Sequence, residues 1–181
     1  MYAQENGPLK IRNFIKDYTK VDCTICSFGA SVTAQKDSIW DHFVEKLNEK
    51  TGRNHKHVKI GLGGHFLYPA SLYCIDEIVR ARPDICILDW FDTGYTYTSD
   101  LTNKCLEALI RKLHEINCYI ICYYHIREDY LDKNRLNFID YVDQILYKYN
   151  VSSYYEYDAV QLNRESIKGD LLRDIVHTSA Y

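Results

Sequence analysis

Apolar and polar positions along the chain fall into two alternating patterns. Short, nearly continuous apolar runs at Val21–Ser27, His57–Leu62, Asp84–Phe91, Cys118–Tyr124 and Val151–Tyr157 predict strands. Longer amphipathic stretches between them predict helices. The first opens near Ser38, where Ser38 and Asp41 have the spacing of a capping box. Ile39, Phe43, Val44 and Leu47 then keep a helical period that Thr51-Gly52 ends. A second helix is predicted from Pro69 to Arg80, with proline near its first turn and Leu72, Ile75, Ile78 and Val79 on one face. Ser99–Asn117 is the strongest helical pattern, with Leu101, Cys105, Leu109 and Leu113 four apart, and Asn134–Tyr149 places Phe138, Tyr141, Val142 and Ile145 on one side. The third strand is apolar throughout except for Asp89, which suits a strand covered on both faces. Strands alternating with helices imply βαβ units, right-handed crossovers and a mainly parallel sheet of about five strands, an α/β fold. Residues 1–20 are mixed and polar and read as an arm or short helix before a single domain at 21–181.

Composition narrows the function classes. A chain of 181 residues with 46% hydrophobic and 26% charged residues is an ordinary globular domain with room for a core. Its formal charge of −3 gives no electrostatic case for nucleic acid. No run reaches the ~18 apolar residues of a membrane span, and the first seven residues lack the basic start and apolar core of a signal peptide. Seven cysteines, an odd number lying mostly in apolar segments, point to free buried thiols and a cytoplasmic location. Cys23 and Cys26 have the spacing of a redox or zinc pair, but residues three apart on a strand face opposite ways. Cys118 and Cys122 share a face yet would stand ~13 Å apart on an extended strand. No metal site is expected. His55-Lys56-His57 precedes the second strand, away from the carboxyl ends, and reads as surface.

The candidate chemistry sits where the first strand ends, in Phe28-Gly29-Ala30-Ser31-Val32-Thr33. Open α/β sheets bind ligands at the carboxyl ends of their strands, and small neighbours let the backbone turn sharply there. Ser31 is therefore either a nucleophile or part of an ordinary turn. A serine nucleophile needs a base within reach and a group that orients the base. Asp174-Ile175-Val176-His177 offers both, although an isolated Asp-x-x-His is as readily a solvated pair. His65, Tyr68 and His125 follow strand ends and are candidates for substrate contact, against a structural role. Gly61-x-Gly63 would open a dinucleotide fingerprint only if a third glycine stood at Phe66.

Taken in order, these blocks resemble those of the SGNH (GDSL-like) hydrolase superfamily. Phe28–Thr33 is similar to the first block, with Ala30 where many members have aspartate. Gly61-Leu62-Gly63-Gly64 is similar to the second, and Asp174–His177 to the fifth. The resemblance covers about residue 21 to the end. It implies a three-layer α/β/α sandwich of flavodoxin-like SGNH type and a serine esterase or acyltransferase that needs no cofactor. Ser31 would attack, His177 act as base and Asp174 orient it. The N–H groups of Ser31 and Gly64 (Gly63 the next choice) would bind the oxyanion. Many members act on acetylated carbohydrates. One block departs: Thr93 falls where the family has an asparagine that donates to the oxyanion, and Asp89 falls where some members carry glutamate. The departure leaves a rival reading, a non-catalytic binding module with a degenerate oxyanion hole. The resemblance also implies a final helix, whereas four residues follow His177. The chain would then be part of a longer polypeptide, or residues 1–20 would cover the same surface.

Overall fold

The computed structural model describes residues 20–90, 100–125 and 137–156. Five strands, β1 (Thr24–Gly29), β2 (Lys56–Gly61), β3 (Ile85–Asp89), β4 (Tyr119–Tyr124) and β5 (Ser152–Tyr155), form one parallel sheet in the order β2-β1-β3-β4-β5. The connecting helices are α1 (Ser31–Ala34), α2 (Ile39–Thr51), α3 (Leu67–Ala81), α4 (Asp100–Glu115) and α5 (Asn137–Tyr149). The expected parallel α/β sheet is present.

Alternation along the strands sorts the core into two faces. Cys26, Phe28, Cys86, Leu88, Ile120 and Cys122 pack on one side against α3, α4 and α5. Ile25, Ile85 and Ile87 pack on the other against Trp40 and Val44 of α2. Helices on both faces make three layers. Cys23 and Cys26 fall into opposite clusters, as a strand requires, and all seven cysteines are free and buried. Cys26 and Cys86 are register partners, and their contact, with burial, pushes the Cys86 thiol well above its usual range. No described helix is long and apolar enough to cross a membrane.

The amphipathic patterns locate the helices and most of their inner faces: Val44, Ile78, Cys105, Leu109, Leu113, Val142 and Ile145 are buried as expected, while one named position on each helix faces outward. Trp40 and Val44 are the buried positions of α2, while Phe43 is 45% exposed. In α3 the buried row is Leu67, Ala70, Ser71, Cys74 and Ile78, and Leu72 is 61% exposed. Leu101 and Tyr141 likewise face outward on α4 and α5. The cause is physical: a helix beside a twisted sheet buries a wide stripe that small residues such as Ala70 and Ser71 can join. The capping box is present as the spacing predicts. The Ser38 hydroxyl accepts from the Asp41 N–H, and the Asp41 carboxylate accepts from the Ser38 N–H.

Asp41 also joins the start of α2 to the edge strand. It pairs with Lys59 at 2.5 Å and with His57 Nδ1 at 3.1 Å, while His57 Nε2 lies 2.9 Å from Ser27 Oγ. Burial pulls the His57 imidazole below its usual 6.5, overriding the opposing pull of Asp41, and nearby Lys59 lowers it further. The unfolded chain therefore binds a proton at His57 more readily. Stability from this group is complete above about pH 6.5 and is lost as pH falls through the window below. The Asp41 carboxyl is raised by burial, but its bonds from Lys59 and Ser38 outweigh that and hold it lower; its contribution is lost only in stronger acid. Lowering the pH from 7.5 to 5.5 is expected to reduce the melting temperature by a few degrees. His57→Gln should flatten that dependence, which calorimetry at the two pH values checks.

The reading of His55-Lys56-His57 as surface is corrected. His55 is buried: its Nδ1 accepts the Cys23 N–H at 3.2 Å and lies 2.9 Å from Cys23 Sγ. His57 is partly buried in the network just described. His55 pairs the N–H that leads into β1 and His57 the hydroxyl in the middle of that strand, groups that would otherwise be buried unpaired.

Candidate active site

The strand order reverses at β1. The chain runs from β1 out to β2 on one side, then crosses to β3 on the other. Such a switch point opens a crevice at the carboxyl ends of the strands, and Ser31 follows β1 there as the first residue of α1. Its side chain is half-buried. A four-residue helix carries no periodic signal, so the sequence pattern shows only a turn at this point.

Main-chain and side-chain contacts fix that turn. Gly29 stands in register between Gly61 of β2 and Asp89 of β3. The Ala30 N–H donates to the Asp89 carbonyl at 3.3 Å, and the Leu62 N–H donates to the Gly29 carbonyl at 3.0 Å. A Cβ on Gly61 would collide with the backbone of Ala34, so α1 lies directly on the end of β2. Beneath, Phe28 and Trp90 pack edge to face with centroids 4.9 Å apart.

Beyond β2, the His65 N–H donates to the Leu62 carbonyl at 3.2 Å, closing a turn through Gly63 and Gly64. Gly64 has φ of 73°, which a glycine adopts without strain and which the third position of a type II turn needs. Both glycines are exposed, as are His65 and Tyr68, with Phe66 between them. His65 Nδ1 lies 3.0 Å from the Gly63 carbonyl. Ser31, Gly64, His65 and Tyr68 thus share the carboxyl edge of the sheet.

His125 is placed differently. It follows β4 but is buried, with Nδ1 2.7 Å from Glu156 Oε2. Its neighbour Tyr123 stacks on Tyr154 and meets Trp40 edge to face at 4.7 Å. Burial pushes the Tyr123 phenol far up, and the charges of Glu156 and Asp89 add to the shift. Asp174, His177 and Thr93 lie outside the described residues, as do residues 1–19.

The described residues contain a different Ser–His–Asp array, Ser27–His57–Asp41. Ser27 has no exposed surface in the middle of β1, so no carbonyl carbon can approach it, and the array is structural. Sequence reasoning missed a buried polar cluster at the end of β3. Asp89 Oδ2 accepts from Thr33 Oγ1 and from Trp40 Nε1, both at 2.8 Å. The available signal was a lone carboxylate in an otherwise apolar strand. Among the described residues no group of three or more histidine, cysteine or acidic side chains is arranged to hold a metal.

The sequence matches no family profile and no curated protein. The fold does match solved structures. A two-domain esterase active on acetylated mannans superposes with a TM-score of 0.73 at 15% identity, covering 97% of this chain and 49% of that one. This chain thus spans about half the length of that protein. An esterase of the SGNH-hydrolase family gives 0.61 at 17% identity over 82% of this chain and 84% of the other. An acetylxylan esterase from Geobacillus stearothermophilus gives 0.66 at 14% identity over 88% of each. The chain therefore has the fold of the SGNH hydrolases, as its sequence blocks imply.

Proposed function

We propose that the chain is a serine esterase of SGNH type acting on O-acylated carbohydrate. The observation that carries this is the position of Ser31: first residue of a short helix at the switch point of the sheet, beside the Gly63-Gly64 turn, on a fold whose solved examples include esterases for acetylated xylan and mannan. In this reading Ser31 Oγ attacks the acyl carbon while its proton passes to His177 Nε2, which Asp174 orients. The N–H groups of Ser31 and Gly64, with the Thr93 hydroxyl, receive the oxyanion charge. His177 then protonates the departing sugar oxygen, leaving an acyl-enzyme that water or an acceptor hydroxyl resolves. His65 and Tyr68 are exposed beside the turn and available to a sugar, whereas His125, enclosed with Glu156, is better read as structural. No cofactor is needed. The buried free thiols agree with a reducing compartment such as the cytoplasm.

The test is incubation with a fluorophosphonate, then peptide mapping, alongside acetate release from an acetylated oligosaccharide with and without acceptor sugar. Labelling at Ser31 with acetate release is the expected result, and a fall in acetate release on adding acceptor, matched by acetylation of the acceptor sugar, would assign acyl transfer rather than hydrolysis. Absence of both would sink the reading. It would leave the alternative favoured by Thr93, a non-catalytic binding module in which Ser31→Ala leaves ligand affinity unchanged.

A further inference from the structure

The serine's turn is held from one side by a group that takes no part in the scheme above. Thr33 lies two residues beyond Ser31, and its hydroxyl donates to Asp89 Oδ2 at 2.8 Å. Trp40 Nε1, from α2, donates to the same oxygen at 2.8 Å. The main chain of Asp89 accepts from Ala30, on the other side of the serine. One residue at the end of β3 therefore grips the serine's turn both before and after it. Asp89, Thr33 and Trp40 are all buried, so water cannot replace these bonds. The close approach depends on Gly29, where a Cβ would strike Thr33 Oγ1 and lie 2.5 Å from the Asp89 carbonyl oxygen.

We propose that Asp89 is a positioning residue for the nucleophile: through Thr33 it sets the direction in which the Ser31 turn presents its hydroxyl and N–H. The proposal rests on the reading of Ser31 as nucleophile. Thr33 has no route to substrate, since it is buried, so it acts through the geometry of α1. Trp40 holds the carboxylate against rotation, which couples the turn to α2.

Thr33→Val tests this, since it exchanges one hydroxyl for a methyl of similar volume. A misplacement of about 1 Å at a reacting group costs on the order of 10²-fold. The phosphonate labelling rate at Ser31 and kcat on an aryl acetate are expected to fall roughly 10- to 100-fold, with KM within about twofold. Thr33→Ser, which restores the hydroxyl, should recover most of both. In a double-mutant cycle with Asp89→Asn, the combined loss should be no larger than the larger single loss, as for groups acting through one bond. A purely structural role would instead lower the melting temperature and leave the labelling rate of the folded protein unchanged. Wild-type labelling rates in Thr33→Val, or equal impairment of Thr33→Val and Thr33→Ser, would overturn the proposal and leave the nucleophile standing. Should Asp89→Asn fail to fold, the threonine pair alone decides. A wild-type chain that neither labels nor hydrolyses would remove the nucleophile, and the positioning role with it.

Discussion

Ser31→Ala is expected to abolish phosphonate labelling and to cut acetate release by about 10⁴-fold or more, leaving the fold intact. On the proposed mechanism the size follows from the covalent step: without Oγ no acyl-enzyme would form, and only binding and charge stabilisation would remain. Such a factor corresponds to about 5–6 kcal/mol of lost transition-state stabilisation. The side chain is half-buried at a helix start, outside both core clusters, so stability should change by no more than about 1 kcal/mol. Activity assays and thermal unfolding of the same preparation separate the two effects. Residual turnover within tenfold of wild type would assign the chemistry elsewhere.

Gly29→Ala is expected to have the largest effect on stability. A Cβ there would collide with Thr33 Oγ1 and come within 2.5 Å of the Asp89 carbonyl oxygen and 2.9 Å of Asp89 Cβ. The obstacles are backbone and short buried side chains, which cannot swing aside. The added methyl must push β1 from β3 or α1 from both. Overpacking of this kind costs roughly 1–3 kcal/mol and more when backbone must move. For a domain of this size about 3 kcal/mol lowers the melting temperature by roughly 6–12 °C. The displaced parts include the turn that carries Ser31, so labelling should slow as well, and differential scanning calorimetry with the labelling assay reads both. A stable, fully reactive Gly29→Ala would mean that the three strand ends are less tightly joined than their distances imply.

Local chemistry made much of the fold legible in the sequence. Apolar runs marked all five strands, a serine three residues before an acid marked the start of α2, and the period-2 argument separated Cys23 from Cys26 correctly. Long-range partners were not legible. Asp89 showed as an interruption of the strand and as a counterpart of a family glutamate, but its partners did not show, because its donors lie 56 and 49 residues away. His55 looked like a solvated residue in a polar triplet, because the Cys23 that buries it is 32 residues distant. Helix faces were misjudged where small residues, which carry little hydrophobic signal, joined the buried row. Of the site, the serine and the glycine turn stand at the predicted edge of the sheet. What holds that turn in place came from tertiary packing alone.

Because β1 has a hydrogen-bonded neighbour on both sides while, among the described residues, β2 and β5 are edges, the serine leaves the part of the sheet least able to open by itself. Partial openings in a native protein begin at frayed edges and loops, and central strands exchange their amide hydrogens last. The backbone that aims Ser31 thus shares the lifetime of the whole domain. Loss of activity on heating and loss of the fold should coincide as a single cooperative event, with no folded but inactive species between them.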